Sequence, residues 1–113
     1  MSSPVWVNPL AIVLGHPTSE ITKISPRTGN EYTTDAILDL KVLLAGSIEA
    51  LEDGKYRYPI ADHTQNLEYV IKAPNKVDVK FGTMLHFKNV VGGQTSRGGW
   101  YSADSVEVVQ KNA

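Results

Sequence analysis

In Thr83-Met84-Leu85-His86-Phe87-Lys88-Asn89-Val90-Val91, apolar and polar side chains alternate for most of the length. Successive side chains of a strand point to opposite faces, so this period puts Leu85 and Phe87 on one face and His86 on the other. Upstream, Leu67-Glu68-Tyr69-Val70-Ile71-Lys72 reads as a second strand, stopped at Ala73-Pro74-Asn75. Downstream, a glycine-rich loop runs from Gly92-Gly93 through Gln94-Thr95-Ser96-Arg97 to Gly98-Gly99. Trp100 to Val109 then closes the fold, as one strand or as a strand around a short turn, and the tail 110–113 reads as frayed.

The first half is less regular. Val5 to Leu14 is β-branched and apolar, and Pro9 has no N–H for a ladder, so the stretch reads as an irregular or edge strand closed by Gly15-His16-Pro17. A hairpin follows: Glu20 to Ile24 alternates, Ser25-Pro26-Arg27-Thr28-Gly29-Asn30 supplies turn chemistry, and the chain returns through Tyr32-Thr33-Thr34. Over residues 34–45 the period does not settle the element: Ile37, Asp39 and Lys41 alternate with Leu38, Leu40 and Val42 as in a strand, which is preferred for the first half. Ala36, Ile37, Leu40, Leu44 and Ala45 also fit a helix. Ser47 to Gly54 carries a serine-then-acid cap and a glycine stop, the pattern of one or two helical turns. Lys55 to Asn66 reads as a long loop. The expectation is a mainly β fold: a single domain over residues 1–113, a small five- to six-stranded OB-like barrel with at most one short helix.

Bulk properties narrow the function. The 113 residues suit one domain, and 42% hydrophobic against 20% charged residues is a globular balance. With no cysteine, disulfides, thiolate metal sites and cysteine nucleophiles are excluded. The apolar run Leu10–Leu14 is far too short to span a bilayer, and the first Lys or Arg is Lys23, so the expectation is a cytoplasmic protein without a membrane partner. Net charge is −1, unevenly spread. Residues 1–54 hold three basic against seven acidic side chains, and residues 55–113 hold eight basic against five acidic. The second half can therefore present a basic face on a near-neutral molecule.

No catalytic constellation is visible. His16, His63 and His86 are far apart and lack metal-ligand spacing, and no glycine pattern makes a phosphate loop. An enzyme, a metal and a cofactor are not expected. The candidates are for binding. Lys55-Tyr56-Arg57-Tyr58 alternates cations with rings, so in an extended segment the tyrosines share one face and the cations the other. Single-strand recognition uses cations for phosphates and flat rings for bases. Arg97, in the glycine-rich loop before Trp100-Tyr101, fits that description too, and Arg27, Lys72 and Lys88 complete the set. Trp6 and Trp100 are read first as core anchors.

Val70-Ile71-Lys72-Ala73-Pro74, Met84-Leu85-His86-Phe87-Lys88-Asn89-Val90 and Trp100-Tyr101-Ser102-Ala103-Asp104-Ser105-Val106 carry a resemblance. Mainly over residues 67–109, the chain resembles small OB-fold proteins of integrative and conjugative elements, related to their helicase processivity factor; Asp39-Leu40-Lys41 is a weaker echo and the rest of the first half has no counterpart. The resemblance implies an OB-like barrel without catalysis of its own that serves conjugative or plasmid DNA processing. Its partners would be single-stranded DNA or the relaxosome proteins, relaxase and helicase. The competing expectation is a protein–protein adaptor or structural subunit of a conjugation or phage assembly. A homo-oligomer built on an exposed strand edge in Val5–Leu14 belongs to that reading.

Overall fold

The alternating stretch around Phe87 is the hub of the fold. A computed structural model describes residues 10–25, 27–95 and 98–109, with a five-residue helix α1 (Leu10–Leu14) and strands β1 (Ser19–Ile24), β2 (Glu31–Leu44), β3 (Glu49–Ala50), β4 (Tyr56–Asp62), β5 (Leu67–Ala73), β6 (Met84–Thr95), β7 (Gly98–Ser102) and β8 (Ser105–Val108). The first half of β6 pairs antiparallel with β2 and β8, and its second half pairs antiparallel with β7. The sheet runs β2-β4-β5-β7-β6 and returns to β2, which closes a barrel of five strands. Among the described residues only the β5–β7 contact, Lys72 opposite Ser102, is parallel. That order and that one parallel seam make an OB-like barrel. Residues 34–44 lie in β2, so the strand reading holds over the helical one there.

Leu40, Val42, Tyr58, Ile60, Ile71, Leu85, Phe87 and Val90 fill the interior. Tyr58 meets Phe87 edge to face, with ring centroids 5.6 Å apart at 76°. Alternation changes phase once along β6: Leu85 and Phe87 are buried, then Val90, because Asn89 takes a left-handed φ of 53°. The ladder register passes from Ile37 opposite Val90 to Asp39 opposite Lys88, and there β2 also breaks alternation, with Ala36 and Ile37 both buried and Leu38 and Asp39 both exposed. Such corners let long strands turn round a small barrel.

Three expectations for the first half are corrected. Leu10–Leu14 is helical because Leu10, Val13 and Leu14 fall on one helical face and are all buried, which outweighs their strand propensity. An edge strand for self-association therefore does not exist at Leu10–Leu14; residues 1–9, with Trp6, lie outside the described residues, as does the tail 110–113. Gly15 ends α1 with φ 73°, its N–H bonded to Ala11 O at 2.9 Å, and a Cβ there would strike the Gln65 side chain. Ser47–Gly54 is not helical. A turn or two of isolated helix is marginal, and Glu49 and Ala50 find ladder partners in Arg57 and Tyr56 instead. Lys55–Asn66 is mostly strand β4, with Lys55 leading into it and a tight turn after Asp62. Pro59 suggested a loop, yet it sits in the ladder opposite Val70 and its carbonyl accepts from Ala45 N at 2.8 Å.

The segment between β5 and β6 is braced from inside. Tyr58 Oη donates to Asn75 O at 2.6 Å and accepts from Val77 N at 3.2 Å. The Asn75 amide donates to Val106 O at 2.7 Å and accepts from Val106 N at 3.0 Å, as a neighbouring strand would. Among the described residues no helix is long and apolar enough to cross a membrane.

Candidate nucleic-acid interface

Strand alternation decides what the barrel shows on its β4-β5-β7 side. Tyr58, Ile71 and Tyr101 point inward, so Arg57, Val70, Lys72, Trp100 and Ser102 stand on the outer surface. They line a groove of about 490 Å³ together with Gly99, with part of the otherwise buried Tyr101 and with Leu51 from the β2–β4 connection. Arg57 and Lys72 are ladder partners across β4 and β5, and Lys72 is the partner of Ser102 on β7. Two cations and an aromatic ring thus share one face. The Trp100 indole is 48% exposed. It lies over Gly93 of β6, where an added Cβ would come within 2.4 Å of the indole nitrogen, so only glycine leaves the ring that seat.

The cations differ in their neighbours. Lys72 Nζ is 2.9 Å from Asp53 Oδ2 in the β2–β4 connection. That hydrogen bond, with the backbone N–H of Lys55, holds the Asp53 carboxyl below the usual carboxylate range. Arg57 is exposed and has no ion-pair partner among the described residues.

The expected residues divide. Arg57 and Lys72 come together in the groove, with Lys55 exposed on the chain leading into β4. Tyrosines and cations do take opposite faces, but the tyrosine face is the core. Tyr58 is fully buried with its hydroxyl engaged, so its assignment to the binding surface is corrected. Tyr56 is half-buried and packs against the core, leaving it little ring to offer a base. Lys88 stands elsewhere, on the part of β6 between β2 and β8, 3.8 Å from Glu107. Arg27 is exposed in the β1–β2 turn, which contributes nothing to the groove lining. Arg97 lies outside the described residues. Trp100, read first as a core anchor, is the groove's exposed aromatic. The sequence held the signal: in a strand, two adjacent aromatics cannot both face inward, and Tyr101 is the buried one.

Two of the three histidines pair with carboxylates. His86 bridges Asp39 at 2.7 Å and Glu107 at 3.0 Å on the outside of the barrel. His16 binds Asp62, whose other oxygen accepts from Thr64 N at 3.1 Å and Thr64 Oγ1 at 2.7 Å. His63 is exposed. Among the described residues no group of three or more His, Asp or Glu side chains is arranged to hold a metal.

Fold and groove define a class: an OB-like barrel whose outer face carries two cations and an exposed indole. The sequence matches no protein-family model, no curated protein and no solved structure.

Proposed function

We propose that this protein binds single-stranded DNA in the groove across β4, β5 and β7, as a non-catalytic accessory factor in the DNA processing of a conjugative or other mobile element, in the cytoplasm. One observation carries the binding reading: the exposed Trp100 ring stands beside Arg57 and Lys72 on one barrel face. A base stacks on an indole whatever its identity, and flanking cations take the adjacent phosphates. Strands 2 and 3 of an OB barrel, with the loops beside them, are where such folds receive oligonucleotides, and β4 and β5 hold those places here. The mobile-element setting is supported by the resemblance of residues 67–109 described above, with relaxase and helicase as the partners it suggests.

Fluorescence anisotropy with labelled single-stranded and duplex DNA, at low and moderate salt, tests the proposal. Salt-sensitive binding that prefers single strands is expected. Trp100→Ala should weaken it by about 1–3 kcal/mol. The same change should also cost about 1–2 kcal/mol of folding stability, because half of the ring is packed away over Gly93, so binding is compared at a temperature where the variant is folded. Absence of binding at low salt would sink the proposal and turn attention to protein partners. In that case Phe81, 76% exposed between two shallow apolar depressions, is the surface to examine.

A further inference from the structure

Lys72 is paired with an acid and Arg57 has another as its ladder partner, and both acids come from the same connection. Across four adjacent strands the ladder reads Glu49 on β3, Arg57 on β4, Lys72 on β5 and Ser102 on β7. Directly opposed residues of a ladder share a face, so Glu49 lies beside Arg57. Four residues beyond Glu49, Asp53 reaches Lys72 at 2.9 Å. Leu51, between them, lines the groove itself. Glu52 adds a third acid to this short segment.

We infer that the β2–β4 connection is a built-in competitor for the groove: its carboxylates occupy, at Lys72 and beside Arg57, the places that backbone phosphates of a bound strand would take. This rests on the nucleic-acid reading of the groove and adds a regulation to it. A carboxylate and a phosphate oxygen are interchangeable acceptors for an ammonium group, and both cannot hold Lys72 in the same geometry. Asp53 is also a negative charge that an incoming phosphate must approach. The contact is built to yield. Both side chains are well exposed, 38% for Lys72 and 48% for Asp53, and exposed pairs of this kind are weak. Among the described residues β3 itself has two ladder pairs with β4, Glu49 with Arg57 and Ala50 with Tyr56, so the strand that carries these acids is short. A strand offering successive phosphates displaces it, and a lone anion competes poorly. The consequence is binding that is weaker and less salt-dependent than the cations alone would give.

The test compares wild-type protein with Asp53→Asn and Glu49→Gln on a labelled oligothymidylate of about 15 nucleotides, a length suited to one OB barrel. Asp78→Asn, which removes an exposed acid outside the groove, is the control for net charge. Asp53→Asn should bind about two- to fivefold more tightly at low salt. Its plot of log affinity against log salt should steepen by up to about 0.7, since the phosphate on Lys72 no longer leaves a carboxylate to recruit a cation. Glu49→Gln should move the same way and Asp78→Asn should stay near wild type. A wild type that binds while Asp53→Asn gains nothing, or gains no more than Asp78→Asn, overturns the competitor and leaves the binding proposal standing. Failure of every variant to bind at low salt overturns both.

Discussion

Asp62 shows how one residue can tie distant parts of this chain. At 2% exposure it is the buried charged side chain among the described residues. Burial alone would raise its pKa; the hydrogen bonds from His16 and Thr64 outweigh burial and hold the carboxyl below its ordinary range. The folded pKa is therefore depressed. Its contribution to stability is complete above the unfolded value, near 4, and drains away as pH falls through the lower folded value. Urea melts between about pH 7 and pH 2.5 should show Asp62→Asn less stable than wild type near neutrality, by roughly 1–3 kcal/mol. That gap should shrink in the acid range, where wild type loses its advantage; a constant gap across the range would contradict the argument. Tyr69 lies close by, its hydroxyl pushed far upward by burial and then by the charge of Asp62. Neither His16 nor Thr64 could be assigned to Asp62 from the sequence alone. His16 is 46 positions away, and His63, the immediate neighbour of Asp62, is the histidine left in solvent.

Elements were legible where one face is buried and the other is wet. β5, β6 and the hairpin into β2 follow period two, and the sequence shows it. Misreadings gather where tertiary contacts override local signals: α1, held helical by the burial of Leu10, Val13 and Leu14, and β3 and β4, whose glycine, proline and capping patterns look like loops and turns. Of the groove, Arg57 and Lys72 could be named from charge and alternation. Val70, Leu51 and Ser102 could not, because their membership depends on which strands become neighbours. The connection between β5 and β6 was equally silent, yet it completes the edge of β8 through Asn75. Asn75→Ala leaves two backbone groups of Val106 without partners and should cost about 1–3 kcal/mol in a denaturant melt. DNA binding by that variant at a temperature where it remains folded should match wild type, since Asn75 lines no part of the groove.

For the whole molecule, closure depends on pairings between residues far apart in sequence. The hydrogen bonds joining β2 to β6 link Ile37 with Val90 and Leu43 with Met84, and the β5–β7 seam links Lys72 with Ser102. Such contacts reward the chain only after a long loop has been closed. Refolding followed by stopped-flow fluorescence should therefore occupy milliseconds to seconds, the range of β barrels dominated by distant pairings, and a microsecond phase that recovers the full signal would exclude this order of events. The molecule measures 43 × 29 × 28 Å, longer in one direction than a bare barrel needs to be. Closure also has a meaning during synthesis. β2 is made early, but one of its edges waits for β6, some forty positions later. While the ribosome still holds the last third of the chain, that edge has no mate and the interior lies open. A nascent chain of this protein is thus a half-built shell whose seam can be stitched only as its final strands emerge, and shielding it until then falls to whatever meets polypeptides at the exit tunnel.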